Sequence, residues 1–134
     1  MATVFTLEKR QFRDLDLNFN VHPVRKDVTK HTGEMAVINS MKNLVLTNFY
    51  ERPFQPEVGS NLRKLLFENL DTVTAMAINR EINQTIKNYE PRVRVQATTV
   101  KPDYDNNAYS VTIEFTIVNV DRPLSITFLL ERTR

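Results

Sequence analysis

Cysteine and tryptophan are absent from this chain, and glycine and histidine each occur only twice. Without cysteine the protein has no disulfide framework, thiolate metal site, iron–sulfur cluster or cysteine nucleophile. The two glycines, Gly33 and Gly59, are too few and too far apart for a loop that cradles phosphate. The two histidines, His22 and His31, fall in a predicted loop with no companion ligands. No metal and no cofactor are therefore expected.

A strong charge of one sign is also lacking, since 18 basic and 16 acidic residues leave a net charge of +2. These charges are interleaved, whereas binding to nucleic acid depends on concentrated positive charge. No apolar run approaches the roughly 20 residues of a membrane span. The N-terminus lacks the apolar core of a secretory signal. We expect folding in a reducing cytoplasm, with neither nucleic acid nor a membrane as a partner.

The length predicts one domain over residues 1–134. Polar and apolar residues alternate over 14–19, which predicts an N-terminal strand, and residues 24–33 are predicted to form a loop or short hairpin. From Glu34 to Phe49 the apolar residues recur at helical spacing, which predicts a first helix.

Two further helices follow along the chain. Ser60 is predicted to cap a short helix that runs through Glu68. Asp71 or Thr72 is predicted to begin a third helix. That helix must close before Pro91, because the residue preceding a proline is pushed out of the helical region.

The last third of the chain has the pattern of three strands, at 93–100, 108–120 and 124–131. Turn-forming residues separate them, at 102–107 and at Arg122-Pro123. The order of elements predicts an α+β domain with an N-terminal strand, two to three helices and a C-terminal antiparallel meander.

The meander places the strand over 108–120 in the middle and leaves the other two strands at the edges. An unprotected edge strand can pair with a strand from a partner. The candidate residues for such strand sharing are Val93, Val95, Ala97, Leu124, Ile126 and Phe128. The alternative is that the protein's own helices or N-terminal strand cover both edges.

A nine-residue connector after the first helix is dense in prolines. It is predicted to be rigid, with Phe54 as an anchor into the core and Gly59 free to adopt a positive φ. Its motif residues are Arg52, Pro53, Phe54, Pro56, Glu57, Gly59 and Ser60.

The triplet Glu90-Pro91-Arg92 lies where the third helix meets the first strand of the meander. Residues two apart in extended backbone point to the same side, so Glu90 and Arg92 are expected to present a fixed pair of opposite charges. The alternative is a solvated pair at a helix end, worth about 0–1 kcal/mol.

Paired carboxylates are a further pattern to consider, because they could hydrolyse a glycosidic bond. Such a pair needs two carboxyl groups in a cleft, one of them with a raised pKa. Glu57 with Glu68 and Asp103 with Asp105 are the candidates. Asp103 and Asp105 are explained more simply as hairpin-turn residues.

The segment Arg52–Glu68, with the pattern RPF-x-P-E-x-GS-x-L-x-x-LLFE, followed by the EPR triplet at 90–92, resembles the sheath-initiator family. This is the lysozyme-like baseplate wedge family of contractile-tailed bacteriophages, with relatives in type VI secretion systems. Val58 departs from the pattern, because an aromatic residue is common there. The likeness extends over 102–115 and to the early residues 14–17, and so covers nearly the whole chain.

The resemblance implies a structural, non-enzymatic protein of the virion tail baseplate, a late protein assembled in the host cytoplasm. It implies that the chain initiates tail-sheath polymerisation by sharing β-strands with the sheath protein, close to the tail tube. It also implies that Glu90 and Arg92 pair with charged residues of the helical core bundle of neighbouring wedge proteins, and that Pro91 fixes the corner. The alternative function is a lysozyme-like peptidoglycan hydrolase.

Overall fold

The computed structural model describes residues 12–15, 20–21, 23–27 and 30–132. Within these ranges, strand β1 (Arg13–Leu15) pairs antiparallel with strand β2 (Lys30–Thr32). The N-terminal strand is thus confirmed at its start. The segment 24–33, predicted to form a loop or short hairpin, supplies β2, which pairs with the earlier strand β1 and not within that segment. The remainder of the predicted strand, 16–19, and His22 lie outside the described residues.

Helix α1 (Glu34–Leu46) begins directly after Gly33, which has a φ of +65° and donates its N–H to the carbonyl of Phe12 at 2.8 Å. The predicted extension to Phe49 is wrong. Thr47 leaves the helix with extended backbone, and its Oγ1 donates to the carbonyl of Asn43 at 2.6 Å. The buried residues of α1 are Ala36, Val37, Met41, Leu44 and Val45.

Helix α2 (Leu62–Leu65) is a single turn, much shorter than the predicted helix from Ser60 to Glu68. The predicted N-cap is also wrong, because Asn61 occupies that position and Ser60 lies before it. The Ser60 hydroxyl is buried and donates to the carbonyl of Val45 at 2.8 Å. Its shortest hydrogen bond thus stabilises the end of α1, and the hydroxyl also accepts a longer one, 3.5 Å, from the backbone N–H of Leu62 in α2.

Helix α3 (Thr72–Tyr89) confirms both of its predicted ends. The Asp71 carboxylate accepts a hydrogen bond from the backbone N–H of Thr74 at 2.6 Å, as an N-cap does. One face of the helix is fully buried through Ile78, Ile82 and Ile86.

The C-terminal sheet consists of β3 (Val93–Asp103), β4 (Ala108–Ile117) and β5 (Pro123–Glu131), antiparallel and in that order. The predicted meander and its central strand are confirmed, although β3 is longer and β4 shorter than predicted. The inward face of β4 is wholly buried and comprises Tyr109, Val111, Ile113, Phe115 and Ile117. These side chains and the buried faces of α1 and α3 form one hydrophobic core.

The turn between β3 and β4 is stabilised by Asp103. Its carboxylate accepts from the backbone N–H of Asn106 at 3.3 Å and from the Asn106 side-chain amide at 2.7 Å. The side-chain hydrogen bond and then the backbone one hold the pKa of Asp103 below its usual value. Asp103 is thus the turn residue that the simpler interpretation predicts.

A register shift between Val95 and Ala97 marks a β-bulge in β3. Before it the odd-numbered residues face the core, with Val93 buried and Val95 partly buried. After it the even-numbered residues Thr98 and Val100 are the less exposed ones, and Ala97 is exposed. Simple alternation along the strand would place Ala97 on the same face as Val93 and Val95, but the extra residue of the bulge inverts the alternation.

Candidate functional site

The carboxylate of Glu90 lies at the junction of α3 and β3, and its side chain is only 4% exposed. Two nitrogens of Arg92 donate hydrogen bonds to this carboxylate, Nε to Oε1 at 2.5 Å and Nη2 to Oε2 at 2.6 Å. Bidentate pairing of this kind combines strength with a fixed direction. The two side chains do point to the same side, as predicted, with the exposed Pro91 between them.

Two residues from other elements complete this corner. The Ser40 hydroxyl, from the middle of α1, donates to Oε2 of Glu90 at 2.8 Å and lies 3.0 Å from Nη2 of Arg92. The ring of Phe12 lies under the guanidinium, with 5.1 Å between the Arg92 Cζ and the ring centroid. We refer to Glu90, Pro91 and Arg92 with Ser40 and Phe12 as the EPR corner.

Both charges of the EPR corner are stabilised by their surroundings. Burial alone would raise the pKa of Glu90, but the hydrogen bonds from Arg92 and Ser40 outweigh it and lower that pKa from 4.5. The pKa of Arg92 is raised, chiefly by its hydrogen bonds to Glu90, with a smaller contribution from the charge of Asp14. The pair is therefore ionised at neutral pH.

The solvated pair considered from the sequence is wrong, because Glu90 is buried and both of its oxygens accept hydrogen bonds. Arg92 differs from it, since 31% of its side chain is exposed. Its Nη1 has no hydrogen-bond partner among the described residues. The corner can thus offer one rigidly held cation to an outside group.

Sequence reasoning missed Ser40 and Phe12. Ser40 follows Ala36 and Val37 by four and three residues, so it lies on the inward face of α1. A small polar residue among apolar neighbours at helical spacing was the available signal. Phe12 offered none, because only the folded chain brings it to the corner.

The connector from Tyr50 to Val58 is here called the proline loop. The residues on either side of it, 47–48 and 59–60, are held close together and form what we call the neck of the loop. The backbone N–H of Ser60 donates to the carbonyl of Thr47 at 2.9 Å, and Asn48 pairs with Ser60 as a parallel bridge. A Cβ on Gly59 would lie 2.6 Å from the backbone carbon of Asn48. Gly59 is thus required for close approach of two backbones. It is not required for a positive φ, since Gly33 is the only glycine with one.

The side chain at the tip of the proline loop is exposed, although it was expected to be buried. Phe54 was predicted to anchor the loop in the core, yet it is fully exposed, at 101% of its reference area. Both Phe54 and Tyr50 have a φ of +69°, which aromatic residues rarely adopt. The neck and internal hydrogen bonds fix the loop, so no buried side chain at its tip is needed.

The proline loop is also attached to α3. The hydroxyl of Tyr89 donates to the carbonyl of Glu57 at 2.7 Å. Because Tyr89 directly precedes Glu90, the loop and the EPR corner are held by the same end of α3.

An open cleft of about 810 Å³ lies beside the proline loop and includes Glu51 and Glu57 in its walls. Glu68, the predicted companion of Glu57, does not line it. Glu51 accepts from the backbone N–H and the side-chain amide of Asn48, both at 2.9 Å, and the backbone bond is the chief cause of its lowered pKa. A general acid needs the reverse shift.

The two edges of the C-terminal sheet differ. On β3, the side-chain amide of Asn79 in α3 donates to the carbonyl of Thr98 at 2.7 Å, and the Thr98 hydroxyl donates to Asn83 at 2.7 Å. Helix α3 thus occupies part of that edge. Among the described residues, β5 has no strand neighbour other than β4. Its candidate residues Leu124, Ile126 and Phe128 pack partly against the core, so its backbone is what the edge presents.

In the described part of the chain, no helix is both long and apolar enough to cross a bilayer. No three His, Asp or Glu side chains there are grouped so as to hold a metal ion.

Comparison with known proteins shows which family this chain resembles. Residues 31–121 match the family model described as baseplate wedge protein gp25. The baseplate wedge protein gp25 of Enterobacteria phage T4 is 37% identical over 94 residues, which are 70% of this chain and 71% of that protein.

Solved structures share the fold. A protein described as a tail lysozyme from Geobacter sulfurreducens has a TM-score of 0.70 at 19% identity, over 75% of this chain and 92% of that one. A chain of the anti-feeding prophage baseplate has a TM-score of 0.63 at 18% identity, over 92% and 88%. A chain of the postcontracted pyocin R2 baseplate has a TM-score of 0.60 at 19% identity, over 79% and 98%.

The family and its phage T4 member confirm the expected location in the baseplate of a virion tail. The family model spans more than half of the chain, and the phage T4 relative agrees with it. The chain therefore belongs to the gp25 family of baseplate wedge proteins.

Proposed function

We propose that the chain is a structural component of the wedge and joins the core bundle of neighbouring wedge proteins through Arg92. The observation that carries the proposal is the arginine itself, which is fixed by Glu90, Ser40 and Phe12 and yet 31% exposed. A cation that is already held in place loses little conformational entropy on binding. The complementary group on the bundle is a carboxylate.

The proposal gives each residue of the triplet a different role. Both oxygens of Glu90 are already used inside the chain, so Glu90 positions Arg92 and does not itself meet the bundle. Pro91 limits the backbone between them. Arg92 is the contact residue.

The experiment replaces both charges together, as Glu90→Gln with Arg92→Gln, so that no buried charge is left unpaired. We expect a folded chain, shown by circular dichroism and thermal unfolding, that fails to enter wedges. Arg94→Gln is the matched control, because Arg94 is an exposed arginine two residues further along β3. Normal tail assembly by the double variant would refute the assignment of Arg92.

We further propose that the chain initiates the tail sheath by strand sharing, and that β5 is the shared edge. The support is the asymmetry of the sheet, since α3 contacts the β3 edge through Asn79 and β3 also carries the bulge. Bulges and covering helices are common ways to protect an edge. The partner is the sheath protein, with the chain placed near the tail tube.

A peptidoglycan hydrolase is the second candidate, favoured by the description of the Geobacter sulfurreducens relative as a tail lysozyme and by the cleft with Glu51 and Glu57. We propose that the chain is not an enzyme, because hydrogen bonds from Asn48 stabilise the ionised form of Glu51. The purified chain should leave peptidoglycan turbidity unchanged. Clearance that is lost in Glu51→Gln or Glu57→Gln would establish the hydrolase instead.

A further inference from the structure

The most exposed aromatic residue of the described chain is Phe54, at the tip of the proline loop. Its ring buries no area against the protein, and its backbone adopts a φ of +69°. A bulky residue in that region is an outlier that persists only where the surrounding structure imposes it. Neither folding nor packing within this chain accounts for a phenylalanine at this position.

The loop holds Phe54 in one direction before any partner binds. The backbone N–H of Tyr50 donates to the carbonyl of Pro56 at 2.8 Å, and that of Gln55 to the carbonyl of Arg52 at 3.3 Å. Pro53 stiffens the segment further. The hydroxyl of Tyr89 fixes the far side of the loop, through Glu57. An aromatic side chain presented in this way gains contact area on binding at a small cost in entropy.

We propose that Phe54 is a docking anchor, which inserts into an apolar pocket on another protein of the baseplate. Aromatic residues and arginine are enriched among the residues that dominate protein interfaces. Arg52 lies two residues before Phe54, is exposed, and has no acidic partner among the described residues. The occupant is therefore a protein surface with a ring-sized apolar pocket and a carboxylate at its rim. This proposal rests on the proposed function, because it takes the baseplate as the assembly that contains the partner protein.

A second copy of this chain does not fit that description. Its cleft beside the same loop carries Arg63 and Lys64 as well as Glu51 and Glu57 in its walls, and Glu51 already accepts two hydrogen bonds from Asn48. Arg63 lies 3.9 Å from Glu51, and the two cations balance the two carboxylates, so this cleft has no net negative charge to attract Arg52. The loop is attached to Tyr89, which directly precedes Glu90, so Phe54 and the EPR corner are held by the same end of α3.

The test is competition for incorporation between wild-type and variant chains, expressed in equal amounts in cells that produce the phage. Phe54→Gly removes the ring and relieves the positive φ, so its midpoint of thermal unfolding should be no lower than that of the wild type. Mass spectrometry of purified particles should find it depleted about tenfold or more. Tyr104→Gly is the matched control, because Tyr104 is an exposed aromatic residue in another turn, and it should be incorporated as the wild type is.

Equal incorporation of Phe54→Gly would overturn the docking proposal, and so would a lowered unfolding midpoint, since the ring would then pack within the chain. Absence of the wild-type chain from particles would contradict the proposed function and the docking proposal with it. A photo-reactive phenylalanine analogue at position 54 identifies the occupant. Cross-linking to a different baseplate protein supports the proposal, and cross-linking only to a second copy of this chain contradicts it.

Discussion

At the scale of single residues, the EPR corner depends on one buried carboxylate. Glu90 is surrounded by a guanidinium, a hydroxyl and the aromatic ring below that guanidinium, and its pKa is lowered despite its burial. A carboxylate with a lowered pKa stabilises the fold above its unfolded pKa. That stabilisation disappears as the pH falls through the lower, folded value.

Glu90→Gln should therefore lower the free energy of unfolding at pH 7 by about 1–3 kcal/mol. The loss is smaller than for a fully buried ion pair, because Arg92 stays in partial contact with water. The difference between variant and wild type should begin to shrink as the pH falls below 4.5, where Glu90 becomes protonated in the unfolded chain, and should vanish below the lower pKa of the folded chain. Urea unfolding of both chains at pH 7 and at pH 3 measures this. An equal difference at both pH values would show that the charge contributes nothing.

Gly59→Ala should destabilise the chain by about 1–3 kcal/mol, because the added methyl group overlaps the backbone of Asn48. Gly33→Ala is an instructive comparison, since nothing lies within 4 Å of a Cβ there and only the positive φ opposes it. Thermal unfolding of the two variants compares these costs. A Gly59→Ala chain as stable as the wild type would mean that the neck of the proline loop can open without cost.

At the scale of elements, local signals predicted those ends that local chemistry determines. Asp71 and Pro91 bracket α3 because a carboxylate caps the first turn and a proline prevents its continuation. The misplaced features depend on contacts distant in sequence. Ser60 has the side chain of an N-cap but binds the carbonyl of Val45, Phe54 is turned outward by a neck formed elsewhere, and Ala97 is displaced by a bulge.

The β5 edge offers a prediction at this scale. Neighbouring residues in an antiparallel strand direct their N–H groups to opposite sides, so of Ile126→Pro and Thr127→Pro only one removes a hydrogen bond to β4. The more stable of the two variants is the one that keeps its hydrogen bond to β4, so its proline removes an N–H from the outer edge of β5. We expect this variant to enter baseplates without supporting sheath growth. Electron microscopy of tails measures sheath length.

The matched control is the same proline pair at Thr99 and Val100 in β3. Its more stable member should form full-length sheaths, because that edge is partly occupied by α3. Full-length sheaths with both strands altered would argue against strand sharing. Loss of the sheath only with β3 altered would move the shared edge to the other side of the sheet.

At the scale of the whole molecule, three features surround one hydrophobic core. Arg92 is a fixed cation and Phe54 a fixed, exposed aromatic ring. The outer edge of β5 pairs with no other strand in the part of the chain that the structure describes. The resemblance seen in the sequence anticipated the family and the EPR triplet. It could not indicate which member of the triplet is accessible, because that depends on the burial of Glu90 against Ser40 of α1.

A cryo-electron microscopy map of the assembled baseplate tests the central claim, that this chain is a structural wedge component, most directly. We predict a carboxylate of the core bundle within about 4 Å of the Arg92 guanidinium. We also predict a strand of the sheath protein paired with β5. A baseplate that lacks this chain, or one in which Arg92 and the β5 edge both face solvent, would contradict the account.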